Sequence, residues 1–283
     1  MKQIVCSFSG GETSAYMAIR LKEEYPDTKF VFANTGQENE ETLIFVDKVD
    51  KAFDLGVVWI ESVPDPRHRK GSQYKVVSFE SANRDGAIFE KVLSIYGLCG
   101  VGWLHCSREL KTVPITKWAN DAFGIDGHRM AIGIRSDEMD RIKTMTHWYP
   151  MAFDWDITKP MVNRFWRDKP FRLDLKGYQG NCKWCWKKSD RKHFTLITEN
   201  PEFYEFPERM ESLYSETNLQ EEEVRPRRLF RQYRTVSDLR LIANDGFSAA
   251  LDDSIEYEVN IDMFKELDEL DKSNGCEQSC EAF

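Results

Sequence analysis

The string Ser9-Gly10-Gly11-Glu12-Thr13-Ser14 lies between an apolar segment ending at Ser7-Phe8 and an amphipathic one. Two glycines let a backbone turn tightly and approach a ligand. The first amides of a helix point at an anion, and the hydroxyls of Ser9, Thr13 and Ser14 add donors. With Ser7, these six residues form a candidate phosphate-binding loop. It lacks the Gly-Lys-Ser/Thr ending of a Walker loop and the third glycine of a dinucleotide fingerprint. Taken alone, it also reads as a plain β-to-α turn.

Two later segments end in residues of the same kind. Asn34-Thr35-Gly36 follows a second apolar run, and Gly133-Ile134-Arg135 follows a third. A glycine at a strand end admits a ligand close to the backbone, and an arginine just after it can fork onto phosphate or sulfate oxygens. Arg135 is therefore the leading catalytic candidate, and a surface ion pair with Asp137 or Glu138 is the competing reading.

The segment Asn181-Cys182-Lys183-Trp184-Cys185 puts two thiols at metal-ligand spacing. Lys187, Lys188, Arg191 and Lys192 would favour the thiolate form. Three readings stand: an iron–sulfur cluster, such as [4Fe-4S], on Cys106, Cys182 and Cys185 with Cys99 as fourth ligand; a redox or persulfide pair; or a structural zinc site. Further on, Arg225, Arg227, Arg228, Arg231 and Arg234 interleave with Phe230 and Tyr233, as in a nucleic-acid contact with stacking surfaces. Neutralisation by the preceding Glu221, Glu222 and Glu223, or docking to a protein partner, would explain the run equally well.

The elements that must position these residues follow from patterning. Short β-rich runs at residues 3–8, 29–33, 57–61 and 129–134 alternate with helical spacing over 13–24 and 41–53, the signature of a parallel sheet wrapped by helices. Such a sheet gathers its strand ends, and thus these loops, along one edge. At 283 residues, 41% hydrophobic and 31% charged, the chain can bury a full core, and no apolar run approaches membrane length. A cytoplasmic protein without membrane contact is expected. A net charge of −9 requires a local basic face for any nucleic-acid contact. Seven cysteines, an odd number, read as thiols or ligands rather than as a disulfide framework. We expect a nucleotide-binding domain over 1–200 and an extension over 201–283 that carries the arginine run, a helical stretch over 254–271 and an acidic tail.

The run from Phe8 to Met17 resembles the PP-loop of the adenine nucleotide α-hydrolase-like superfamily, in particular its PAPS reductase-like N-type ATP pyrophosphatases. Asn34-Thr35-Gly36 through Thr42, Ala82-Asn83-Arg84-Asp85-Gly86, Cys106-Ser107-Arg108-Glu109-Leu110-Lys111 and Gly133-Ile134-Arg135 are similar to family segments in the same order. The resemblance covers residues 1–200. It implies a HUP-like, doubly wound parallel α/β sheet of about five strands with helices on both faces, followed by a mostly helical C-terminal extension. It also implies ATP with Mg²⁺ on the loop, adenine near the backbone of residues 32–34, and chemistry at the α-phosphorus. Many relatives carry Lys or Arg at the position of Glu12, so positive charge must come from elsewhere, and Arg84, Arg108 and Lys111 are candidates. Arg135, Lys111, Arg84 and Cys106 form the expected catalytic set.

By the same resemblance the expected activity is adenylation of an acceptor with release of pyrophosphate, followed by sulfur insertion, DNA phosphorothioation being the first choice. A cysteine desulfurase or another sulfur donor would be a partner, and homodimerisation is allowed. The alternatives are PAPS or APS reduction, tRNA thiolation, or a nucleotide-binding scaffold for a desulfurase. The tail pair Cys276 and Cys280 lacks the Gly-Leu-His that follows the catalytic cysteine of true PAPS reductases.

Overall fold

A computed structural model describes residues 2–67, 70–100, 102–142, 144–219, 225–231 and 233–255. Cys276, Cys280, residues 221–223 and all but the first two residues of the helix expected over 254–271 lie outside that set.

The chain begins with β1 (Gln3–Ser7), α1 (Glu12–Glu24), β2 (Lys29–Asn34), α2 (Glu40–Phe53) and β3 (Val58–Pro64). Next come β4 (Ser72–Val77), α3 (Ala87–Tyr96), α4 (Val113–Phe123) and β5 (His128–Ala131). The sheet runs β4-β3-β2-β1-β5. Every pairing is parallel except that of β3 with β4, which is antiparallel. The five-stranded α/β sheet thus matches the expected fold class, with one correction: β4, an edge strand, was not foreseen. Its Ser-Gln-Tyr-Lys-Val-Val sequence is largely exposed, so it lacks the apolar run that marks the inner strands.

Strict alternation along the inner strands feeds two cores. Cys6, Phe30 and Phe32 face α1, α2 and Trp166, whereas Val5, Val31 and Ala33 face Ile115 and Ala119 of α4. Strand order reverses direction at β1, with β2 on one side and β5 on the other. In open α/β sheets such a switch point opens a crevice beyond the strand ends, where ligands bind. The candidate loop leaves β1 there and Arg135 leaves β5 there.

The remainder is mostly helical: α5 (Lys159–Arg167), α6 (Asp190–Glu199), α7 (Glu205–Tyr214) and α8 (Val236–Asn244). A third core joins Phe89, Val92 and Leu93 of α3 and Trp184 and Trp186 of the cysteine segment to Met210, Leu229, Phe230 and Leu239. Ahead of α4, residues Arg108–Thr112 form a π-turn in which the Val113 amide donates to the Arg108 carbonyl. Pro114 next to it has no amide to continue an α ladder, and such turns recur at functional sites. No helix among the described residues is long and apolar enough to cross a membrane.

Candidate active site

The loop after β1 is held by its own hydroxyls. Ser14 Oγ receives hydrogen bonds from the Ser9 amide at 3.2 Å and the Ser9 hydroxyl at 2.9 Å, and donates to the Gly11 carbonyl at 3.0 Å. Fully buried, Ser14 braces the loop. Gly10 sits at φ +88°, and a Cβ there would lie 2.7 Å from Thr42 Cγ2 of α2, so close helix packing together with the left-handed backbone demands glycine. Gly11 is the N-cap of α1 and offers no side-chain cap, which leaves the first helix amides available to an anion.

Glu12 does not face that anion position unneutralised. Its carboxylate accepts two bonds from Arg172, at 2.9 and 2.8 Å, and one from the Leu173 amide at 3.2 Å. Arg172 thus neutralises Glu12 without adding net positive charge to the loop. The three side chains expected to supply positive charge each meet a carboxylate: Arg84 pairs with Glu40 at 2.9 Å, Arg108 pairs with Glu109, and Lys111 lies 3.7 Å from Glu38.

Across the crevice, Gly133 packs its α-carbon against Ser14, since a Cβ would stand 3.3 Å from Ser14 Cα. Arg135, only 5% exposed, follows at once. Its Nε donates to Asp137 Oδ1 at 2.8 Å and its Nη1 to Thr13 Oγ1 at 3.1 Å, with Glu138 Oε1 at 3.5 Å. Arg135 forms the ion pair with Asp137, and the same guanidinium reaches Thr13 in the loop.

Asn34 and Gly36 are joints. The Asn34 amide donates to Glu61 at 2.8 Å and to the Asn83 carbonyl at 2.9 Å, while its oxygen accepts from the Gly36 amide. The Asn83 side chain lies where a Gly36 Cβ would point, at 2.2 Å. The segment around Asn83, Arg84 and Gly86 thus shapes the β2–α2 loop from beneath. Thr35 donates through Oγ1 to Glu38, which in turn lies 3.7 Å from Lys111 Nζ.

The cysteine segment closes the site. Cys182 bridges Glu38 in antiparallel fashion, the Asn39 amide donates to Asn181 O at 2.8 Å, and Lys183 N donates to Gln37 O at 3.0 Å. Asn181 also sends its amide to Ser9 O at 2.9 Å. One segment therefore touches the candidate loop and the β2–α2 loop together. Behind it, Thr35, Cys106, Lys111, Cys182, Cys185 and Trp186 line a small pocket. Trp186 Nε1 donates to Cys106 Sγ at 3.4 Å. Cys99 is buried beside them, and its hydrogen bond with Cys106, together with burial, holds its thiol well above the usual range. Of the expected thiolate-promoting cations, Lys188 donates to the Cys182 and Lys183 carbonyls, and Arg191 to Ala249 O. Among the described residues no group of three or more His, Cys, Asp or Glu side chains is arranged to hold a metal ion. The thiols are gathered without that geometry.

Four of the five arginines of the run make contacts within the fold. Arg227 donates to Tyr96 O and Asn218 O and lies over Trp103, and Arg228 pairs with Asp238. Arg231 and Arg234 both face Asp190. Phe230 is fully buried and offers no stacking surface, whereas Tyr233 is exposed. The neutralising acids among the described residues are Asp190 and Asp238. Asn181, Arg172 and Lys159 lie at the site although sequence reasoning assigned them no role. Adjacency to Cys182 was the one available signal, and it pointed only to Asn181.

A loop that presents uncapped helix amides at the switch point, beside a buried arginine and a thiol pocket, invites comparison with known families. Residues 3–146 match the phosphoadenosine phosphosulfate reductase domain. The chain is also 32% identical over 194 residues to an uncharacterized nin region protein, ORF290, of Escherichia phage lambda, covering 66% of this chain and 67% of that protein. The matched span holds β1 with its loop, the β2–α2 loop, the π-turn and Arg135, so the chain belongs to the phosphoadenosine phosphosulfate reductase domain family.

Proposed function

We propose that this protein is an ATP pyrophosphatase that adenylates an acceptor and then exchanges the activated oxygen for sulfur. Family membership implies an adenine nucleotide and sulfur-related chemistry. The observation that carries the finer reading is the 181–185 segment: Asn181 holds the phosphate loop, and the next residue, Cys182, walls a pocket of thiols. An activated phosphate and a sulfur carrier would thereby share one neighbourhood.

In this reading the helix amides and Arg135 stabilise charge on the phosphates while an acceptor oxygen attacks the α-phosphorus and pyrophosphate leaves. Magnesium would arrive with the nucleotide as counter-ion to its phosphates. Sulfur held as a persulfide on one cysteine, loaded by an external donor, displaces AMP together with the activated oxygen. A second thiol then attacks the resulting mixed disulfide, which releases the thiolated product and leaves a Cys–Cys disulfide. Among the described residues no group of three or more His, Cys, Asp or Glu side chains is arranged to hold a metal ion, so in this reading the thiols themselves carry the sulfur. DNA as acceptor draws less support from the arginine run, four of whose five members are engaged within the fold, and rests mainly on the cysteine segment and on the tail's departure from true PAPS reductases.

The test offers ATP and PAPS separately to the full chain with Mg²⁺, reductant, a sulfur donor and DNA, tRNA or small-molecule acceptors. Pyrophosphate release that depends on an acceptor, without sulfite, is expected. Sulfite from PAPS without pyrophosphate from ATP would make the protein a reductase. ATP binding with no turnover beside any acceptor would make it a scaffold. Iron assayed in an anaerobic preparation checks the thiol reading, and stoichiometric iron would replace it.

A further inference from the structure

Beside the loop after β1 lies an open cleft lined by Gly11, Thr13, Lys159, Asn163, Asn181 and Ser254, among others. Lys159 opens α5, and its backbone amide donates to Asp137 Oδ2 at 3.0 Å. The carboxylate that holds Arg135 therefore also fixes Lys159. The ammonium is largely buried, its side chain 14% exposed, and it meets Asp253 Oδ2 at 3.2 Å.

Asp253 belongs to a short strap laid over the cleft. Asp252 Oδ1 accepts from the Gly177 amide at 2.8 Å, Asn163 Nδ2 donates to Asp253 O at 3.1 Å, and Arg172 Nη2 donates to Ser254 O at 2.9 Å. A carboxylate is thus already seated on a buried lysine next to Gly11 and Thr13. Charge around the loop gives this seat its meaning. Arg172 is matched by Glu12, and Arg135 by Asp137 and Glu138, so neither brings an uncompensated charge to a polyphosphate. Lys159 is balanced from a peripheral segment that joins the cleft through three residues.

We propose that the Lys159 cleft is an anion subsite for the outer phosphates of the nucleotide, and that Asp253 occupies it as an internal competitor displaced by ligand. The proposal rests on the nucleotide reading above. A phosphate carries more charge than a carboxylate and more acceptor oxygens, so exchange on the same ammonium and on the Asn163 amide favours the ligand. Closure by the strap in the absence of nucleotide keeps a buried ammonium paired.

Calorimetric titration of the full chain with Mg²⁺-ATP and with inorganic pyrophosphate tests it. Asp253→Asn should tighten both ligands by about threefold to tenfold, and Lys159→Met should weaken both by about tenfold or more. In the double variant, Asp253→Asn should give no tightening, because the seat it vacates is gone. Unchanged or weaker binding by Asp253→Asn overturns the proposal, as does equal tightening with and without Lys159, which would be bulk charge alone. Should Lys159→Met fail to fold, the Asp253→Asn arm decides. Wild-type protein that binds neither ligand refutes the nucleotide reading itself, whereas tight wild-type binding indifferent to Asp253 refutes only the strap.

Discussion

Arg135 is oriented before any ligand arrives: Asp137 holds its Nε while Nη1 spans to Thr13 in the loop. A planar fork can serve both at once, and a lysine ammonium on its flexible stem cannot. Arg135→Lys should therefore lower nucleotide affinity, or the rate of pyrophosphate release, by about tenfold to a hundredfold while shifting Tm little. Titration beside thermal melts checks this, and wild-type affinity in the variant would reduce Arg135 to its ion pair. Arg135 was legible in the sequence because it directly follows a strand-end glycine, which is a local signal. Lys159 was not legible, because its meaning depends on Asp253 and on the loop, both distant along the chain. Glu12 shows the same limit: its departure from the family pattern was visible, but its neutralisation by Arg172 required the fold.

At the scale of elements, the inner strands were readable and the edge strand β4 and the placement of the cysteine segment were not. Apolar runs and glycine turns marked β1, β2, β3 and β5, whereas β4 is an exposed strand whose pairing with β3 supplies what its composition does not. The 180–186 segment was read as thiol chemistry. Its positioning comes from an antiparallel bridge and from Asn181, neither of which leaves a periodic trace. Asn181→Ala removes the donor to Ser9 O in a buried place and should cost about 1–3 kcal/mol of stability. Nucleotide affinity should fall with it, since the loop loses its outer clamp. Denaturant unfolding and ATP titration read the two effects, and a stability loss with unchanged affinity would separate the clamp from the ligand site.

Across the whole molecule, the chain after residue 200 shares the third core with α3 and the cysteine segment, so the C-terminal helices help hold the thiol pocket in shape. His193 marks that seam. Fully buried on α6, it shares a 2.8 Å hydrogen bond between Nδ1 and the Tyr204 hydroxyl and meets Phe230 edge-on at 4.7 Å. Burial first, then the positive charges of Lys188, Arg231 and Arg234, hold its pKa well below the ordinary 6.5. The unfolded chain takes up this proton near pH 6.5 and the folded chain only at far lower pH. Below 6.5 the unfolded state binds more protons, so the contribution is complete above that pH and is lost as pH falls beneath it. The loss from this one residue should approach about 1.4 kcal/mol per pH unit. His147, half-buried and also lowered by desolvation, adds to the same window, so the informative quantity is the difference between wild type and His193→Gln. Denaturant melts from pH 8 to pH 5 should show a shallower acid slope in the variant, together with lower stability at pH 8 from the lost packing. An identical slope would mean that groups other than His193 set the acid dependence of stability.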